Sequence, residues 1–289
     1  MQSHGLFRLA SKVWNTPHLI HPEAFRVISD YFVKRNSDDF RLDPIYPDDA
    51  GDDPTDNQYS EAVVSNGVGV LCVDGSLTYK PVMTMCGEVG TSYQQLIDQT
   101  REMAAAGIKT IVMEVSSGGG QASHCFETAS EIRAICDEND IQLIGYADEM
   151  ACSAAYALIC VCDTVIANPS AELGSIGVLI ALMDTSKALE MNGYKPIFIS
   201  AGENKIPYQE DGSFKQSFLD SLQDDVNRLN QEFVAHVSNY TGLDTKTIIA
   251  FQANTYDAKT AVQLGLANAV MTSKEFAAYV AQAHKGNTQ

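Results

Sequence analysis

The sequence predicts an α/β fold in which a largely parallel sheet is covered by helices. Three observations carry that expectation. From about residue 59 to residue 280, short apolar runs alternate with segments of helical periodicity, the pattern of successive β-α units. The apolar runs have no polar alternate face, as strands do when helices cover both sides of a sheet. Glycine-rich or small-residue turns follow two of the runs at the points where helices open.

Taken in order, strands are predicted at residues 68–73, 110–115, 142–147, 164–167, 176–182 and 196–200. Helices are predicted between and after them at 93–106, 122–138, 153–162, 185–192 and 217–240. The last carries Phe218, Leu222, Val226, Leu229, Phe233 and Val237 on one stripe, which suits a core contact or a second subunit. Ahead of this domain (59–280) lie two other zones, and a short tail (281–289) follows it. Residues 1–36 include an amphipathic segment from 17 to 35, with Ile20, Phe25, Ile28, Tyr31 and Phe32 at roughly helical spacing. Residues 37–58 read as an acidic linker: the stretch 37–57 has eight Asp, three Pro and a single basic residue, Arg41, too little apolar surface to order itself.

The chain has 289 residues and a formal net charge of -18, which disfavours nucleic acid or an anionic membrane as partner. No run is long and apolar enough to span a bilayer, and residues 1–10 lack the apolar core of a signal peptide. The seven cysteines form no C-x-x-C pair and read as reduced, packed thiols. A cytoplasmic protein with no stable membrane anchor, no cofactor and no metal is the expectation.

Two turns have the composition that chemistry needs. Residues 114–121, Glu-Val-Ser-Ser-Gly-Gly-Gly-Gln, end an apolar strand and open a helix. Unobstructed amides there suit an oxyanion or a phosphate, but the lysine and glycine frame of a P-loop is missing. Residues 148–156, Asp-Glu-Met-Ala-Cys-Ser-Ala-Ala-Tyr, also follow a strand and put Ser153 at a helix start among small residues. Such a serine is either a helix cap or a nucleophile. No G-x-S-x-G elbow is present. Among the six histidines only His124 lies close to a candidate turn; Lys205, in the loop 200–207 after the last apolar strand, is the other candidate base.

The glycine turn, the Ser153 segment, Gly174-Ser-Ile-Gly-Val178 and the Ala-Gly-x-x-Lys loop ending at Lys205 occur in one order over about two hundred residues. Together they resemble the signal peptide peptidase A family of serine peptidases. The resemblance implies a Clp protease/crotonase-like fold and a Ser-Lys dyad, with Ser153 as nucleophile and Lys205 as general base. It further implies that Ser175 orients the lysine and that the amides of Gly119 and Ala154 form the oxyanion hole. The family's Ser-Pro-Gly-Gly is Ser117-Gly118-Gly119-Gly120 here, which loosens the turn and keeps its amides. The N-terminal segment followed by an acidic linker resembles the phage head maturation branch. That branch implies scaffold, portal or minor capsid proteins as substrates and a homo-oligomeric ring whose dyads are shared between subunits. The rival readings are a bacterial signal-peptide-degrading peptidase, a crotonase-type acyl-CoA enzyme and an inactive capsid component.

Overall fold

A computed structural model of the chain describes residues 16–22, 25–26, 63–65, 67–84, 87–88, 90–184, 186–191, 193, 197–202, 205–209 and 211–287. The elements, in chain order, begin with β1 (His18–Ile20), β2 (Val63–Ser65), β3 (Val68–Thr78), β4 (Met83–Thr84), β5 (Gly87–Glu88) and β6 (Thr91–Ser92). The β-α alternation then runs through α1 (Tyr93–Ala105), β7 (Thr110–Gln121), α2 (Cys125–Glu138), β8 (Gln142–Cys152), α3 (Ala154–Ile159), β9 (Thr164–Ala167) and β10 (Glu172–Gly174). It closes with α4 (Ser186–Met191), α5 (Gln216–Thr241), α6 (Thr245–Ala250), β11 (Thr255–Asp257), α7 (Ala258–Gln263), β12 (Ala269–Val270) and α8 (Ser273–Asn287).

The main sheet runs β11-β10-β8-β7-β3-β2, with β9 also on β8 and β12 on β9. Its pairs β3–β7, β7–β8, β8–β9, β8–β10 and β9–β12 are parallel, and β2 and β11 add antiparallel edges. The predicted α/β architecture with a largely parallel sheet is therefore the observed one. Alternate residues of β7 serve opposite faces. Ile111, Met113 and Val115 join the main core with Leu96 and Met103 of α1 and Ala129 and Ile132 of α2. Val112 turns to the other face, where Ile144, Tyr146 and Ile166 pack with Phe276 of α8, and the Tyr146 and Phe276 rings stack at 4.0 Å. The capping box that starts α1 is formed by Ser92 and Gln95, so the helix opens where the β6 strand stops.

Three irregularities lie at one level of the sheet. The β3–β7 register shifts between Asp74 and Ser76, and the β7–β8 register shifts between Val115 and Ser117. At the same level β8 changes neighbour: Ile144 to Ala147 pair with β9, and Met150 to Cys152 pair with β10. Such bulges bend strands and re-aim the residues beyond them.

Three expectations need correction. Residues 18–20 form an extended strand rather than part of a helix, because β1 pairs antiparallel with the far end of β7. Residues 176–182 are not a strand; only Leu179 makes an isolated bridge, to His18. Residues 197–200 are not a strand either, and Ile197 and Ile199 stand 83% and 97% exposed. Both runs have strand-like composition but no neighbour to complete a ladder among the described residues. The acidic linker 37–57 lies outside the described residues.

Candidate active site

The site collects at the C-terminal ends of β7, β8 and β10, the edge where parallel sheets hold their ligands. β8 ends at Cys152 and α3 begins at Ala154, so Ser153 alone turns the chain from strand to helix. It adopts φ 57 and ψ −117, a region in which a residue with a side chain carries about 1–3 kcal/mol of strain. Neighbours hold it there. Its amide donates to the Gly174 carbonyl (2.8 Å) and its carbonyl accepts from the Ala157 amide (3.0 Å). Its side chain caps nothing; Oγ, fully buried, lies 3.5 Å from the Gly177 carbonyl. The helix-cap reading of this serine is thereby removed.

Ser175 sits between those two contacts, 4% exposed and at φ 53, with its amide on the Asn254 carbonyl at 2.9 Å. The structure thus brings Ser153 and the Gly174–Gly177 segment together, with Ser175 inside that segment.

The glycine turn forms the opposite wall. Its residues do not leave the sheet but extend β7 to Gln121, because Gly119 and Gly120 pair with Ser76 and Leu77 of β3. Side chains are impossible there. A methyl on Gly120 would strike the Leu77 backbone; one on Gly119, at φ 100, would strike the Leu19 carbonyl and lie 3.0 Å from the Ala154 nitrogen. Ser117 buttresses this edge: its hydroxyl donates to the Gly75 carbonyl (2.6 Å) and accepts from the Gly119 amide (3.1 Å). The Gly119 amide therefore points at Ser117. The Ala154 amide, at the first turn of α3, has no backbone acceptor among the described residues, as helix-start amides do not.

The candidate bases fall elsewhere. His124 stacks on Tyr79 at 3.8 Å, with Nδ1 2.7 Å from Glu127. His236 is buried, with Nε2 2.9 Å from the Ala157 carbonyl, and burial holds its pKa below the usual imidazole value. Lys205 is exposed, its amide on the Gly202 carbonyl at 3.2 Å. Among the described residues no hydrogen bond or ion pair joins Lys205 to Ser153 or Ser175. Ile176 is buried, but Lys205, beside Ile206, is not, so one chain alone does not shield the lysine from water. Beside Ser153, burial pushes the Cys152 thiol up to about 12, with Glu172 adding to the rise, so this sulfur stays protonated.

Residues 137–287, just over half of the chain and including Ser153, Ser175 and Lys205, match the model of peptidase family S49. The chain belongs to peptidase family S49. The resemblance carried by its four motifs is borne out, and the helix-flanked parallel sheet is the Clp protease/crotonase-like fold expected of an S49 member. Among its relatives is the capsid assembly protease C of Escherichia phage lambda, 25% identical over 284 residues, 94% of this chain and 64% of the relative. The head-tail preconnector protein GP5 of Enterobacteria phage P21 is 22% identical over 227 residues, 78% of this chain and 45% of the relative. A putative signal peptide peptidase SppA of Enterococcus faecium is 24% identical over 230 residues, 76% and 64% of the two chains. The S49 chain thus spans less than two thirds of the length of these relatives. Among its described residues no helix is long and apolar enough to cross a membrane, and no cluster of His, Cys, Asp or Glu could hold a metal ion.

Sequence reasoning missed two parts of the site: the strand at 18–20 that lies along its edge, and the buttressing role of Ser117. A signal for the first exists, since Pro17 and Pro22 bracket His-Leu-Ile-His and a residue before proline avoids the helical region.

Proposed function

We propose that this S49 chain is a serine endopeptidase that trims scaffold, portal or minor capsid proteins as phage procapsids mature, acting in the host cytoplasm or within the procapsid. The observation that carries the reading is the strained, fully buried Ser153 at a strand-to-helix turn, with the Ala154 amide directly after it. Strain of this kind survives where surrounding contacts enforce it, and it marks functional turns. The phage relatives supply the choice of substrate class.

In this reading Ser153 Oγ passes its proton to Lys205 and adds to the scissile carbonyl. The amides of Ala154 and Gly120 stabilise the oxyanion, while Gly119, its amide held by Ser117, keeps the edge free of side chains. Lysine then protonates the leaving amine, and water releases the acyl-enzyme. A free lysine, with a pKa of about 10.4, is protonated at neutral pH and becomes a base only when water is excluded. The exposure of Lys205 in a single chain therefore favours a dyad completed on assembly, with Ser175 orienting the amine. Its neighbourhood supports that: Met191, Ile197, Phe198 and Ile199 are all exposed, an apolar stretch that a second copy would cover. The open apolar groove of about 210 Å³ between Ile180, Leu182, Leu219, Leu222 and Val226 does the same for the first half of α5.

The test is labelling with a serine-directed fluorophosphonate, alongside co-expression with candidate head proteins and mapping of new termini by mass spectrometry. Label on Ser153 and cleavage of a head protein are expected, both absent in Ser153→Ala. Lys205→Arg should be inert, since arginine keeps its proton at accessible pH. A Ser153→Ala variant that still cleaves at the wild-type rate would overturn the assignment.

A further inference from the structure

The edge of the candidate site is occupied by the chain's own N-terminal segment. Residues 17–21 lie extended between two partners, as a peptide bound by strand addition does. On one side β1 runs antiparallel to the glycine edge, with His18 opposite Gln121, Leu19 opposite Gly120 and Ile20 opposite Gly119. The His21 amide donates to the Gly118 carbonyl (2.6 Å) and the Ala122 amide to the Pro17 carbonyl (3.4 Å). On the other side His18 exchanges both backbone bonds with Leu179, at 2.9 and 3.0 Å. Leu179 follows Gly177, whose carbonyl faces Ser153 Oγ.

The register selects one peptide bond. In an antiparallel pair the residues that bond across alternate with those that do not. Pro17 bonds to Ala122, just past β7, and His21 to Gly118 within it, so Leu19 falls in the same phase and its carbonyl faces the Gly120 amide. His18 is in the opposite phase, with its carbonyl turned to Leu179. The Leu19 oxygen contacts the point where a Gly119 methyl would stand, and the Ala154 nitrogen is 3.0 Å from that same point. The Leu19 side chain is wholly buried in the main core, and Ile20 is 6% exposed.

We propose that this strand is a built-in substrate and that the chain cuts itself once, between Leu19 and Ile20. The inference rests on Ser153 being the nucleophile. Ser153 Oγ adds to the Leu19 carbonyl carbon as its proton passes to the base. The oxyanion is met by the amides of Gly120 and Ala154. The Leu19–Ile20 bond breaks, the base returns its proton to the Ile20 nitrogen, and water hydrolyses the Leu19 ester. The products are a peptide ending in a Leu19 carboxylate and a chain that begins at Ile20. Removal of the peptide clears the cleft for other substrates, and the burial of Leu19 makes a leucine-sized residue the preferred one before the cut.

The full-length chain is expressed, and its intact mass and N-terminus are followed with time. Wild type is expected to convert to a chain starting at Ile20, and Ser153→Ala to keep its original N-terminus. Leu19→Asp should stop the conversion and Leu19→Met should permit it. Truncation of Ser153→Ala at the same bond, or a wild-type cut at any other bond of the segment, would overturn the proposal. A wild-type chain that keeps its N-terminus while Ser153 takes the fluorophosphonate and cleaves an added unfolded protein overturns self-cleavage and leaves the peptidase reading intact. A chain that does neither overturns both.

Discussion

Replacing Ser153 by glycine should stabilise the protein while abolishing any chemistry at that position. Ser153 holds φ 57 and ψ −117, a conformation that glycine adopts without strain. Relief of the strain is worth about 1–3 kcal/mol, and glycine's greater freedom in the unfolded chain returns about 0.5–1 kcal/mol. The reference is Ser153→Ala, which loses the hydroxyl equally but keeps a Cβ in the strained turn. The difference between the two variants is then about 1 kcal/mol in favour of glycine. For a domain of this size that raises the melting temperature by roughly 2–4 °C. The assay is thermal unfolding followed by circular dichroism, at one protein concentration, so that any assembly affects both variants alike. Ser153→Gly melting at or below Ser153→Ala would refute the claim that the turn stores strain.

Other outcomes follow from the same geometry. Mixing inactive Ser153→Ala with inactive Lys205→Ala after mild dissociation should recover part of the activity, because Lys205 is exposed and no hydrogen bond or ion pair joins it to Ser153 among the described residues; no recovery in verified mixed oligomers would put each dyad inside one subunit. His236 has a folded pKa below its unfolded value, so the unfolded chain takes up the proton first. Its contribution to stability is complete above about pH 6.5 and falls as pH drops from there toward the folded pKa. Urea midpoints at pH 7.5 and 5.5 should differ less in His236→Gln than in wild type. Cys125 and Cys152 are buried with thiols held at about 12, while Cys72 is exposed although partial burial and Glu114 raise its thiol too, so iodoacetamide at pH 8 should modify Cys72 by access and spare the other two in the native protein. Peptide mapping by mass spectrometry reads this directly.

How far the sequence could be read depended on whether a segment's neighbours lie in its own periodic pattern. The strand predicted at 164–167 is β9 residue for residue, since its apolar run stops where the strand does. The strand predicted at 110–115 continues to Gln121, because Ser-Ser-Gly-Gly-Gly carries no apolar alternation, though its backbone pairs on both sides. Ser153 stands out by its small neighbours and its place after a strand, while its positive φ goes with a bond to Gly174 of another strand that no local pattern encodes. Of the segment at 17–35, the helical spacing holds at Pro22, Phe25 and Arg26 but not at 18–20, because the edge that captures that strand lies a hundred residues away. The oxyanion assignment met a similar limit: Ser117 draws the Gly119 amide to itself and leaves Gly120 facing the strand.

The line of register shifts across β3, β7 and β8 divides the sheet into two storeys. Below it the three strands pair without interruption, from Gly69 with Ile111 to Val115 with Ala147. Above it stand Gly118–Gln121, Cys152 and β10, each tied to the rest by short ladders of a few pairs. Cooperative units of a protein tend to part along such seams, and the part with fewer bonds opens at lower free energy. Amide exchange should therefore be faster in the upper storey than in the lower one, whose ladders are long and continuous. The seam leaves the long ladders of the fold independent of whatever lies along the glycine edge.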